Sequence, residues 1–179
     1  MNIEIKLRKL VLTDIDEEYC AWYANDDYHL QYFTGSGRTF SRDILLEDFE
    51  KGERSGSHYY YIIETTNGIR IGNIKIGPID MRNRTADLVC LIGNRLFVGK
   101  GVASHAISLA NRVAFETYKI RRLQGGMHAL NIPSIKAYTR AGWYIEATMK
   151  GFYLINDAPI DRICVACLNP LDFPSDQNS

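Results

Sequence analysis

Two short segments carry residue types at spacings that could do chemistry. The first is Val98-Gly99-Lys100-Gly101-Val102-Ala103-Ser104. Unpaired N–H groups at a helix start attract anions, and glycine lets backbone approach a phosphate with no Cβ between them. Two other phosphate motifs do not fit. A P-loop needs Ser or Thr after Gly-Lys, and Gly101 stands there. A dinucleotide fingerprint needs a third glycine, where Ser104 stands, and an acid about 20 residues on that this chain does not supply. The plain alternative is a glycine turn entering a packed helix.

The second is Asn131-Ile132-Pro133-Ser134-Ile135-Lys136-Ala137-Tyr138. Helical residues seven apart differ by about 20° in direction, so Asn131 and Tyr138 share a face, with Ser134 on the same side. An amide, a hydroxyl and a phenol on one face can hold a polar ligand. They can also be a helix cap, a first-turn residue and a core aromatic with a hydrated tip. His128, just upstream, titrates near neutrality in its ordinary state and is a candidate proton carrier, or a structural strand histidine.

These segments must be held by elements that the sequence pattern predicts. Ile3 to Leu10 reads as a strand. Thr13 can cap a helix to about Tyr23 with Asp14, Asp16, Glu17 and Glu18 near its positive end. Thr34-Gly35-Ser36-Gly37 reads as loop, and Ser41 starts a helix over 42–52. Strands follow at His58–Glu64, Ile71–Ile79 and Thr85–Ile92, with Asn67-Gly68 as a hairpin turn. Ala86, Leu88, Cys90 and Ile92 alternate onto one face of the third. The second half predicts a helix over Val102–Tyr118, a strand over Arg122–Ala129, the Asn131 helix ending at Gly142, and closing strands over Trp143–Met149 and Ile160–Leu168. Cys164-Val165-Ala166-Cys167 lies on the last strand, where alternation sends the two thiols to opposite faces. That argues against a redox pair or a zinc site and for core packing.

Composition bounds the function. The chain has 179 residues, with 21 Lys+Arg against 21 Asp+Glu, so no global basic field exists to hold nucleic acid. No apolar run approaches the roughly 20 residues of a membrane span, and the N-terminus alternates without an apolar signal core. Four cysteines in a chain of this length do not form a disulfide framework, and a reducing cytoplasm is the expected compartment.

The glycine loop and the Asn131-to-Tyr138 helix, in this order, resemble the GNAT superfamily of acyl-coenzyme A N-acetyltransferases. The resemblance is also carried by Ala86-Asp87-Leu88, Ile92-Gly93, Arg140-Ala141-Gly142-Trp143 and the closing Asn156-Asp157-Ala158-Pro159-Ile160-Asp161. Trp22-Tyr23-Ala24-Asn25-Asp26 is similar to the start of the family's RimJ/RimL-like branch and of sugar-nucleotide N-acetyltransferases.

The resemblance implies an α+β (mixed α/β) fold: a twisted, mostly antiparallel sheet of about seven strands flanked by about four helices. One acyltransferase domain would span 1–170, with a polar, frayed tail over 171–179. Acetyl-CoA would be the acyl donor, with no metal. Its diphosphate would sit on the N–H groups of Gly99, Lys100, Gly101, Val102 and Ala103. Its pantetheine arm would lie like an added strand between two sheet strands, pairing with backbone near Leu91 and Ile92, with Asn131 and Ser134 alongside. An amine would attack the thioester directly in a ternary complex, and Tyr138 would protonate the leaving thiolate. Asp87 and His128 are the candidates for a base. The acceptor implied is a primary amine on a small molecule, an amino-sugar nucleotide ahead of a polyamine or a protein N-terminus, and a homodimer is allowed. A non-catalytic coenzyme A-binding module is the competing class. The family places Gln or Arg where this chain has Val98, which removes one side-chain contact to the phosphates and leaves the backbone cradle intact.

Overall fold

The computed structural model describes residues 3–23, 32 and 40–174. The expected loop at Thr34 to Gly37, together with Asn25 and Asp26, lies outside the described residues. Seven strands form one sheet in the order β1-β2-β3-β4-β5-β7-β6. They are β1 Ile5–Lys9, β2 Tyr59–Thr65, β3 Arg70–Asp80, β4 Thr85–Ile92, β5 Arg122–His128, β6 Tyr144–Ile155 and β7 Ala158–Leu168. Every neighbour pair is antiparallel except β4 with β5, which is parallel. The helices are α1 Glu17–Ala21, α2 Arg42–Ser55, α3 Val102–Glu116 and α4 Ile132–Arg140.

Strand alternation splits the apolar residues between two faces. Ile62 turns toward α1 and α2 and joins a core of Leu10, Ile15, Tyr19, Trp22 and Leu45. Its neighbour Ile63 turns the other way, with Ile71, Ile74 and Leu88, onto Ala106, Ile107 and Ala110 of α3. The mixed fold with four helices around a seven-stranded sheet is the one expected from the sequence.

Local departures have local causes. The helix expected from Thr13 begins later, because the Asp14 carboxylate is recruited elsewhere. It accepts from Arg8 at 2.8 and 2.9 Å and from the Val11 N–H at 2.8 Å, closing a 3₁₀ turn over Leu12–Asp14. Asp16 then caps α1 by accepting from Tyr19 N–H at 3.0 Å. Ser41 caps α2 as predicted, with its hydroxyl accepting from Ile44 N–H, and the helix runs past Gly52 to a left-handed Gly56. The closing strands are longer than predicted and meet at Asn156 and Asp157, both at positive φ, as a two-residue hairpin turn requires. Cys167 faces the core while Cys164 lies on the opposite face. The start of the expected frayed tail is anchored: Asp172 pairs with Arg84 at 2.6 Å, and Arg121 lies over the Phe173 ring. Among the described residues, no helix is long and apolar enough to cross a membrane.

Candidate active site

The site follows from where one ladder stops. β4 and β5 pair through Thr85–Arg122, Ala86–Leu123 and Asp87–Gln124, and no further. Beyond that point β4 continues to Ile92 against β3, and β5 continues to His128 against β7. The two strands splay, leaving backbone groups of β4 without a strand partner on one side.

Tyr138 marks the start of that splay. Its hydroxyl donates to the Leu88 carbonyl at 2.7 Å, on the first residue of β4 past the last paired position. Backbone groups alternate sides along a strand, so Leu88, Cys90 and Ile92 turn theirs into the gap. Leu91 does not. Its carbonyl points at Gly72 of β3, where a Cβ would stand only 2.0 Å away. Of the two residues expected to pair with the arm, Ile92 has the right orientation and Leu91 is turned to β3.

Tyr138 is buried, with the Trp143 ring edge-on at 4.8 Å. Asn111 on α3 fixes this corner by donating to Ala141 O at 3.1 Å and accepting from Trp143 Nε1 at 3.0 Å. Burial pushes the phenol pKa well above its ordinary value, with an opposing contribution from the Cys90 backbone N–H. The group therefore stays protonated at working pH and can donate a proton, not accept one. Burial also pushes the neighbouring Cys90 thiol up to about 12, which keeps it an inert packing group.

The α4 cap is as predicted. Asn131 Oδ1 accepts from Ser134 N–H at 3.2 Å, and its Nδ2 donates to nothing among the described residues. Ser134 is half-buried on the same side.

The glycine loop opens α3. Gly99 and Gly101 have φ of +76° and +78°, and a Cβ on either would meet nothing within 4 Å. The backbone there is bare. The first ladder bond of the helix is His105 N–H to Gly101 O, so the N–H groups of Val102, Ala103 and Ser104 precede the ladder. Lys100 is exposed, with its ammonium over the Phe97 ring, and Val98 is 41 % exposed. A cavity of about 380 Å³ adjoins the loop, lined by Gly101, Ser104, His105, Ser108 and Arg140. Arg140 was not singled out as a ligand from sequence. Its signal is a cation at the C-terminal end of α4, which local reading assigns to the helix dipole. A second cavity, of about 910 Å³, lies between the C-terminal half of α3 and the segment after β7. It touches neither Tyr138 nor the splay.

The two base candidates sit on the sheet face opposite α3. Asp87 accepts from Gln124 Nε2 at 2.9 Å, next to the parting of the strands. His128 is buried and stacks on Tyr153 at 4.0 Å and 7°. Burial lowers its pKa, which keeps the imidazole neutral near pH 7. The structure thus brings Tyr138, Leu88, Ile92 and Asp87 to the parting, and sets His128 further along β5.

The site thus joins a splayed parallel pair, a bare glycine cradle at a helix start and a capped helix delivering a phenol. Residues 4–143 match the acetyltransferase (GNAT) domain family, and the chain belongs to that family. It is an acetyl-CoA-dependent N-acetyltransferase of the GNAT type. It is 24% identical over 176 residues to a probable N-acetyltransferase, YjcK, of Bacillus subtilis (strain 168), spanning 94% of this chain and 96% of that one. Among solved structures it resembles the spermidine N-acetyltransferase of Vibrio cholerae in complex with CoA and spermine, with TM-score 0.80 and 19% identity over 92% of this chain and 95% of that one. The same enzyme with manganese ions aligns with TM-score 0.75 and 19% identity over 95% of each chain. At that identity the likeness is one of fold.

Proposed function

We propose that the chain transfers acetyl from acetyl-CoA to a primary amine of a small molecule, by direct attack within a ternary complex. The observation that carries this reading is the Tyr138 hydroxyl at the parting of β4 and β5, with the glycine cradle upstream of it on the same side as α3. The diphosphate of the donor rests on the N–H groups of Gly99 to Ala103, with Arg140 beside it. The pantetheine arm runs along the gap, taking backbone hydrogen bonds from β4 at Cys90 and Ile92 and one from Asn131 Nδ2.

Holding amine and thioester in contact supplies most of the acceleration, because oriented reactants gain the equivalent of a very high local concentration. The amine nitrogen bonds to the thioester carbon, and the carbon–sulfur bond then breaks. Tyr138 gives its proton to the leaving thiolate by rotating its O–H away from Leu88. Asp87, open on the other face of the sheet, is the candidate to take the amine proton; His128 lies beyond it as the second candidate. The acceptor reading retains an amino-sugar nucleotide, for which the Trp22-to-Asp26 segment is the motivation, with a polyamine as the second reading on the likeness to the spermidine enzyme.

Free thiol released from acetyl-CoA with a panel of primary amines tests the reaction. Amine-dependent release with an intersecting initial-velocity pattern is the expected result. Binding of coenzyme A with no release on any amine would leave a binding module instead.

A further inference from the structure

We propose that Arg162, with His128 beside it, is a receptor for an oxyanion carried by the amine acceptor. The proposal rests on the acetyl-transfer reading above and adds the acceptor's chemical class: an amine bearing a carboxylate or a phosphate, not a polyamine.

The placement comes from register. His128 on β5 is opposite Arg162 on β7, so their side chains leave the same face of the sheet. Gln124 and Asp87 lie on that face too, away from the α3 core. The Arg162 guanidinium covers Gly126, where a Cβ would fall 2.1 Å from its Nε. Gly126 is one residue past Gly125, and a Cβ on Gly125 would stand 3.8 Å from the Leu88 carbonyl that holds the Tyr138 proton. The cation therefore lies beside the parting of the strands, on the face opposite Tyr138. That face is the one left for the acceptor when the donor arm occupies the gap.

Its hydrogen-bonding state is unusual for this molecule. Arg162 Nε and His128 Nδ1 are the two buried side-chain polar atoms without a partner among the described residues. Arg8, Arg70 and Arg122 are half-buried as Arg162 is, and each lies on a carboxylate: Asp14 at 2.8 Å, Asp16 at 2.7 Å and Glu146 at 2.9 Å. Arg162 has no carboxylate among the described residues, only the Phe152 ring at 5.0 Å. A buried charged donor without an acceptor is costly, and the Arg162 guanidinium, with an unpartnered imidazole nitrogen beside it, calls for an anion. A planar guanidinium presents paired N–H groups that match a carboxylate or phosphate. Tyr153 stacked on His128, with the Tyr32 ring 6.4 Å from the imidazole, walls the far side. A polyamine ammonium beside this cation would meet like-charge repulsion.

The experiment compares matched acceptors at saturating acetyl-CoA: β-alanine against β-alaninamide, glucosamine 6-phosphate against glucosamine, and spermidine. The first pair reads carboxylate and the second reads phosphate. The expected result is a preference of tenfold or more in kcat/KM for the anionic member of one pair, carried mainly by KM. In Arg162→Gln that ratio collapses toward one, and Arg162→Lys recovers part of it. Gly126→Ala, which displaces the guanidinium without removing it, lowers the ratio as well. Preference for spermidine or for the neutral members, or a ratio unchanged in Arg162→Gln, overturns the proposal. If no amine is turned over, the acetyl-transfer reading fails by itself, and calorimetry decides the receptor. Binding of the same anionic amines to the enzyme–coenzyme A complex that is lost in Arg162→Gln supports it, and absent or Arg162-independent binding overturns it.

Discussion

At the residue scale the central group is the Tyr138 phenol. Its proton rests on Leu88 O at 2.7 Å, so it is oriented before any ligand arrives, and burial holds it protonated. Tyr138→Phe removes both the acid and this bond. A general acid contributes on the order of a hundredfold or more to rate, whereas loss of one neutral hydrogen bond costs about 1 kcal/mol of stability. The expected outcome is a fall in kcat of about a hundredfold with KM for acetyl-CoA little changed and a melting temperature only a few degrees lower. A variant with wild-type kcat across pH would remove Tyr138 from the chemistry. That Tyr138 shares a face of α4 with Asn131 was legible from their spacing, because helical periodicity is local information. Its partner was not, because Leu88 O becomes available only where β4 and β5 part, and no local pattern marks the end of a parallel ladder. Arg162 escaped for the same reason: its meaning depends on register with His128 and on the bare Gly126 beneath it.

At the element scale α4 is a short helix with a capped start that carries Tyr138. The Asn131 cap was readable because Asn followed by a first-turn proline is a local signal. What the sequence left open was whether Asn131 caps or binds. The geometry allows both, since the cap uses Oδ1 and leaves Nδ2 free. Two substitutions separate the roles. Asn131→Asp keeps the capping oxygen and loses the amide donor, and Asn131→Ala loses both. The alanine variant is expected to lose about 1 kcal/mol in denaturant unfolding, with the aspartate variant close to wild type. Both are expected to raise KM for acetyl-CoA several-fold. An aspartate variant with unchanged KM would confine Asn131 to the cap. The first helix was misplaced by local reading for a matching reason. Asp14 looks like a helix-start acid in sequence, but Arg8 on β1, six residues earlier, takes its carboxylate.

At the scale of the whole molecule, that same ion pair ties the first strand to the segment entering α1, and it makes stability depend on pH. Burial alone would raise the Asp14 pKa, but the Arg8 guanidinium and the Val11 N–H outweigh it and hold the carboxyl below its ordinary 3.8. A depressed carboxylate contributes stability above the unfolded-state value and loses it as pH falls through the folded one. Asp14→Asn is therefore expected to be less stable than wild type at pH 7, with the gap closing as the pH is lowered from about 4. Thermal unfolding across pH 2–7 checks it, and a gap constant over that range would assign the cost to packing. The fold class was legible because strand and helix periods alternate clearly through the second half. The proposed acceptor class was not, because it rests on side chains that converge from β4, β5, β6 and β7 on one face.

The most direct measurement is the structure of the enzyme with coenzyme A bound. The diphosphate is expected on the N–H groups of Gly99 to Ala103, with the arm along β4 at Cys90 and Ile92 and the sulfur within hydrogen-bonding distance of Tyr138 Oη. A diphosphate seated away from the glycine loop, or a sulfur remote from a phenol still bonded to Leu88, would contradict it.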